Sequence, residues 1–244
     1  MTILAVCSAV LLVALVGVVA SLYSGSGGSS SGGSDGSNGS SGSVSPLVAA
    51  TAEPGTGTGE TVAFYGDSYT LGTGASDFDN RWSTVVSAER NWREVNPSVN
   101  GLGFINNRTE FGGNDLPAKI IAADPDIVFV TMGLNDNFSF STSADQIEGQ
   151  ITLDLDRLRA GLPDARFIVV EPFWYTDDRP DSVETIIGWV KDAAAEIDAD
   201  YIPGASHWIE GHPEWMAFDG LHPNDEGYAE MAVRMDSELR ELGL

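Results

Sequence analysis

The chain has 244 residues, with 36 acidic against 12 basic side chains and a net charge of −24 at pH 7. Such a surplus argues against nucleic acid as a partner, because that binding is driven largely by neutralising phosphates. The only cysteine, Cys7, lies close to the start, so the rest of the chain has no disulfide and no thiol nucleophile.

The first stretch, Ile3 to Leu22, is an uncharged apolar run of about twenty residues, the length that crosses a bilayer once. Residues 1–22 therefore read as a signal peptide or a membrane anchor. Val18-Val19-Ala20 suits cleavage after small residues, whereas the length and the missing initial Lys or Arg suit an anchor. Either reading implies export: an extracellular protein, secreted or tethered to the outer face of the cell membrane, touching membrane only through this segment. Leu4-Ala5-Val6-Cys7 has the outline of a lipoprotein site, but Val6 is too large for the residue before the cut and the apolar run follows the cysteine. Residues 23–59 are dominated by Ser, Gly and Thr, which bury too little apolar surface to offset the entropy of ordering, and read as a disordered linker. The remainder, 60–244, is ample for one core. It carries all the basic residues and every acid except Asp35 and Glu53, a charge best read as keeping the protein soluble.

Within this body Thr61 to Tyr65 is a short apolar strand running into Gly66-Asp67-Ser68. Arg81 to Val95 carries Trp82, Val85, Val86, Trp92 and Val95 at helical spacing. An extended piece, Asn96 to Phe104, closes in a glycine-rich turn. Leu116 to Ala123 is a short helix, and Ile127 to Met132 suits a strand buried on both faces, ending at Gly133-Leu134-Asn135-Asp136. Ser143 with Gln146 three positions on has a capping-box pattern, opening a helix whose inward stripe is Ile147, Ile151, Leu155 and Leu158. Arg166 to Glu171 is the next strand, followed by Pro172-Phe173-Trp174-Tyr175, an acidic loop, and a helix to about Ile197. Tyr201-Ile202-Pro203 is the last strand. The final helix is capped by Asn224 and buries Tyr228, Met231, Met235 and Leu239. This alternation predicts a three-layer α/β/α sandwich, flavodoxin-like, with about five parallel strands. Right-handed crossovers would bring the loops after Gly66, Gly133 and Glu171 to one edge of the sheet.

Ser68, at a strand end on that edge, is a weak nucleophile unless a base removes its proton and a third group orients the base. Asp219-Gly220-Leu221-His222-Pro223 offers both, since a tight turn can return the Asp219 carboxylate to Nδ1 of His222. Oxyanion donors could come from glycine turns such as Gly101-Leu102-Gly103 and from the Asn135 amide. Asp67 and Asp136 read as anchors for backbone. Trp174 and Tyr175 stand just past a strand end, where aromatic side chains contact substrate or simply pack. His207 and His212 have poor metal spacing, and Asp177, Asp178 and Asp181 read as a solvated loop.

Taken together and in order, Gly66-Asp67-Ser68, a glycine turn, Gly133-Leu134-Asn135-Asp136 and Asp219-x-x-His222-Pro223 resemble the four sequence blocks of the SGNH or GDSL hydrolases over the whole body. The resemblance implies a serine esterase with Ser68 as nucleophile, His222 as general base and then acid, and Asp219 as its orienter. It also implies an oxyanion hole made by the backbone N–H of Ser68, a glycine N–H and the Asn135 side chain. The glycine is assigned to Gly103, with Gly112 and Gly113 as the competitors. Such an enzyme needs no cofactor and no metal. Its expected partner is a small-molecule or carbohydrate ester, with short acyl groups on carbohydrate foremost, lipid esters as the alternative, and a non-catalytic glycan-binding module as the reading from another class. The sequence does not speak to oligomeric state.

Overall fold

The computed structural model describes residues 57–109 and 115–244. The expected leader and almost all of the expected linker lie outside the described residues. Thr58 and Gly59, read as the end of that linker, are hydrogen-bonded to Asn91 and belong to the folded body. No helix among the described residues is long and apolar enough to cross a membrane.

Five strands, β1 (Thr61–Tyr65), β2 (Arg93–Val95), β3 (Ile127–Val130), β4 (Arg166–Val170) and β5 (Asp200–Ile202), form one parallel sheet in the order β2-β1-β3-β4-β5. Side chains alternate between the faces of each strand. Val62, Phe64, Ile127, Phe129, Ile168 and Val170 meet one layer of helices, built from α2 (Trp82–Glu89) and the final helix α6 (Asp225–Glu241). Ala63, Tyr65, Val128, Val130, Phe167 and Val169 meet the other, built from α3 (Leu116–Ala123), α4 (Phe140–Gly161) and α5 (Asp181–Glu196). The central strands are buried on both faces, which is why they read as unbroken apolar runs rather than alternating ones. One further helix, α1 (Ser68–Leu71), is a single turn at the end of β1.

Two elements differ from their sequence reading. The helix expected over Arg81 to Val95 ends at Glu89; Asn91 takes a left-handed φ of 56°, and the chain re-enters the sheet as β2. Trp92 joins Trp82 and Val86 on one face of the sheet whereas Val95 packs on the other, so their helical spacing did not mark one buried stripe. The strand was also hidden by its charges. Glu94 is buried and takes hydrogen bonds from Arg81, Ser83, Thr84 and Asn96, so a polar sequence satisfies itself inside the sheet edge. In α4 the helix begins three residues before Ser143, and Ser143 itself leaves helical geometry at φ −137°, ψ 17°. It therefore separates a short leading turn from the long helix. The final helix is as expected, with the Asn224 side chain accepting from the Gly227 N–H at 3.0 Å.

Candidate active site

β1 runs into Gly66, where the chain turns sharply against the residue that follows β3. A Cβ there would lie 2.5 Å from Thr131 Oγ1 and 2.6 Å from Thr70, so no side chain fits. Asp67 follows as the cap of α1, its Oδ1 accepting the Tyr69 N–H at 3.0 Å. Ser68 is the first residue of that turn, 3% exposed. Among the described residues its N–H finds no acceptor. Burial pushes the Asp67 carboxyl up to about 7; the nearby Asp136 adds to this, while the Tyr69 N–H and the Asn135 amide work against it.

Asp219 and His222 form the pair expected from their spacing. Asp219 Oδ2 lies 2.7 Å from His222 Nδ1, and its Oδ1 accepts the N–H groups of Leu221 at 2.9 Å and His222 at 3.0 Å. A carboxylate only accepts, so Nδ1 carries the proton and Nε2 is left as a lone-pair base. Partial burial raises the Asp219 pKa, but the hydrogen bonds from His222 and from the two backbone groups outweigh it and hold the acid below its usual range.

This turn and the helix α6 that follows it are fastened to the serine's own segment at three points. Tyr69 Oη donates to Leu221 O at 2.7 Å, Tyr228 Oη donates to Thr73 O at 2.8 Å, and Asp225 accepts the N–H and hydroxyl of Ser76 at 2.7 and 2.6 Å. Among the described residues no hydrogen bond joins Ser68 Oγ to His222. Such catalytic bonds commonly tighten only when substrate binds.

Asn135 sits at the end of β3 in a short helical turn, 7% exposed, its Nδ2 donating to Leu102 O at 3.0 Å and to Asp67 Oδ2 at 3.3 Å. The 101–108 loop is thereby drawn beside the serine. Asp136 holds the same loop, accepting the N–H groups of Phe104, Ile105 and Asn106 at 2.7, 2.8 and 3.1 Å. A second anchor is Asp154 of α4, which accepts from Tyr65 Oη and from both terminal nitrogens of Arg108.

This loop corrects the assignment of Gly103. Its N–H is already donated to Asn106 O at 2.9 Å, and a Cβ there would lie 2.6 Å from the Asp136 carboxylate. Gly103 is a glycine because Asp136 packs against it, and its N–H is not free for an oxyanion. Gly101, two residues earlier, has a φ of 72° and an N–H with no acceptor among the described residues, while its carbonyl takes the amides of Asn106 and Asn107. Gly112 and Gly113 lie outside the described residues. Spacing could not separate these glycines, because the deciding property is which N–H remains unused.

Of the two readings of Trp174, contact with substrate and packing, the structure fits packing. The residue is buried, and its indole N–H is shared between Thr176 Oγ1 at 2.9 Å and Asp178 O at 3.0 Å. It packs the loop. Tyr175 leans on it at 4.6 Å between ring centroids and is partly exposed. His207 and His212 are each paired through Nδ1 with a glutamate, Glu210 and Glu214, and His212 stacks on Trp215.

Residues 64–230 match the GDSL-like lipase/acylhydrolase family. The chain belongs to that family. It is accordingly a carboxylic ester hydrolase of the SGNH type. A GDSL lipase of Mycobacterium tuberculosis is 29% identical over 186 residues, covering 71% of this chain and 79% of that one. Among solved structures, the psychrotrophic esterase EstA from Pseudoalteromonas superposes with a TM-score of 0.60 at 15% identity, covering 75% of this chain and 98% of that one. An acetylxylan esterase from Geobacillus stearothermophilus does so with a TM-score of 0.56 at 22% identity, covering 78% and 97%. These two likenesses show the fold.

Proposed function

We propose that this hydrolase removes short acyl groups, acetyl foremost, from carbohydrate through an acyl-enzyme on Ser68. The observation that carries the mechanism is the Asp219–His222 hydrogen bond on a turn fastened to the serine's own segment. Ser68 Oγ attacks the ester carbonyl as its proton passes to His222 Nε2. The developing oxyanion is held by the N–H of Ser68, the N–H of Gly101 and the Asn135 amide, which gives up its longer 3.3 Å bond to Asp67 for it. Nε2 then returns the proton to the leaving alcohol, and water, activated by the same imidazole, releases the carboxylate. Every step uses this chain's own side chains and backbone.

The carbohydrate assignment is supported by the acetylxylan esterase among the structural neighbours and by the export implied by the Ile3 to Leu22 run. A lipid ester is the second reading, favoured by the Mycobacterium relative's designation as a lipase. The body should hydrolyse phenyl acetate and release acetate from acetylated xylan, and Ser68→Ala should abolish both. Equal rates in the two proteins would rule out the mechanism. Turnover that rises steadily with acyl length, with none on acetylated xylan, would select the lipid reading instead.

A further inference from the structure

Phe218 is the most exposed large apolar side chain among the described residues, at 105% of its reference area, and nothing packs on it. Burying such a ring stabilises a folded protein, so its full exposure forgoes that gain. The backbone beneath it is nevertheless firmly built. The Gly220 N–H donates to Ala217 O at 3.0 Å, closing a four-residue turn with Phe218 and Asp219 at its centre. The Ala217 N–H donates to His222 O at 2.8 Å, Met216 bridges Pro223, and Asp219 Oδ1 takes two further N–H groups. A turn of this kind accepts most residues at that position, so its geometry does not explain a phenylalanine. Phe78 and Phe138, the other exposed phenylalanines, are each about half covered.

The chemistry of the proposed mechanism says which part of a substrate would meet this ring. The imidazole must lie within hydrogen-bond reach of the alcohol oxygen that it protonates. The leaving alcohol is therefore on the His222 side of the reacting carbon, away from the amide of Asn135. Phe218 stands on the same braced turn, immediately before Asp219. We propose that Phe218 is a specificity-determining residue: a ring on a firmly braced backbone, against which the leaving alcohol lays an apolar face, such as that of a sugar ring.

This rests on Ser68 and His222 acting as nucleophile and base, and the test separates the two ideas. kcat/KM reports the steps up to departure of the alcohol, so alcohols are compared at constant acyl group and acyl groups at constant alcohol. The probes are ethyl acetate, phenyl acetate and an acetylated methyl xyloside, then phenyl butyrate and phenyl hexanoate. Phe218→Ala should lower kcat/KM about fivefold for phenyl acetate and the xyloside, leave ethyl acetate within about twofold, and give one ratio across the phenyl esters. Phe218→Trp should restore the loss. Overturning results are an equal loss on all three acetates, a loss that tracks acyl length, no loss, or a changed mass in solution accompanying a uniform loss. Activity surviving in Ser68→Ala would instead overturn the mechanism beneath the proposal.

Discussion

Asp219 does three things with two oxygens: one fixes the tautomer of His222, and the other ties down the two backbone N–H groups that close the turn around it. Asp219→Asn keeps an acceptor for the turn but offers Nδ1 either a poorer acceptor or a competing donor. Turnover on phenyl acetate should fall by roughly 10³-fold or more while the folded structure persists, read by kcat alongside circular dichroism. Asp-x-x-His was legible in the sequence because its geometry is local, a carboxylate and an imidazole three residues apart on one turn. Gly103 was misread and Trp174 left undecided for the opposite reason. The first has its N–H spent on Asn106, and the second has its ring turned into the core with its N–H spent on Thr176 and Asp178. Neither partner announces itself in a motif.

At the scale of elements, the loop from Gly101 to Arg108 has no regular structure of its own and is shaped by carboxylates on its neighbours. Asp136, from the turn after β3, satisfies three backbone donors, while Asp154, from α4, holds Arg108. Asp136→Ala would leave three donors to find water or stay unpaired. It should destabilise the fold by about 3 kcal/mol or more, measured by urea unfolding, and loosen the segment that carries the Gly101 N–H. The long elements were readable because the sheet buries β1, β3 and β4 on both sides, and because α4, α5 and α6 each present one apolar stripe. β2 was not, since its central residue is the buried Glu94 and its flank carries Arg93. Ion pairing with Arg81 makes that strand possible, and pairing across thirteen residues of sequence follows no periodicity.

For the molecule as a whole, the buried Asp67 and the exposed, hydrogen-bonded Asp219 and Asp115 set opposing slopes of stability against pH. Asp67 loses its proton near 3.8 in an unfolded chain but keeps it to about 7 in the fold. Between about pH 4 and 7 the folded state therefore binds more protons, and stability falls as pH rises. Asp219 and Asp115 are held below their usual range, Asp115 chiefly by Arg157; the stability they contribute is present above about 3.8 and is lost as pH falls through their folded values. Thermal stability should peak on the acid side of neutrality. Asp67→Asn, which keeps an oxygen for the Tyr69 N–H, should flatten the fall towards pH 8. A melting temperature that rises steadily from pH 5 to pH 8 in the unaltered protein would contradict this account.

The strand order also fixes when the site comes into being. The serine leaves β1 near the beginning of the folded body, the asparagine leaves β3 at its middle, and the chain then runs out to β5 at the far edge of the sheet. Only afterwards does it cross back with Asp219 and His222, and α6 lands on α2 to hold them. A growing polypeptide has thus synthesised every strand of its sheet before its base. A chain cut directly after β5 can therefore have no activity, since both the base and the helix that holds it are missing.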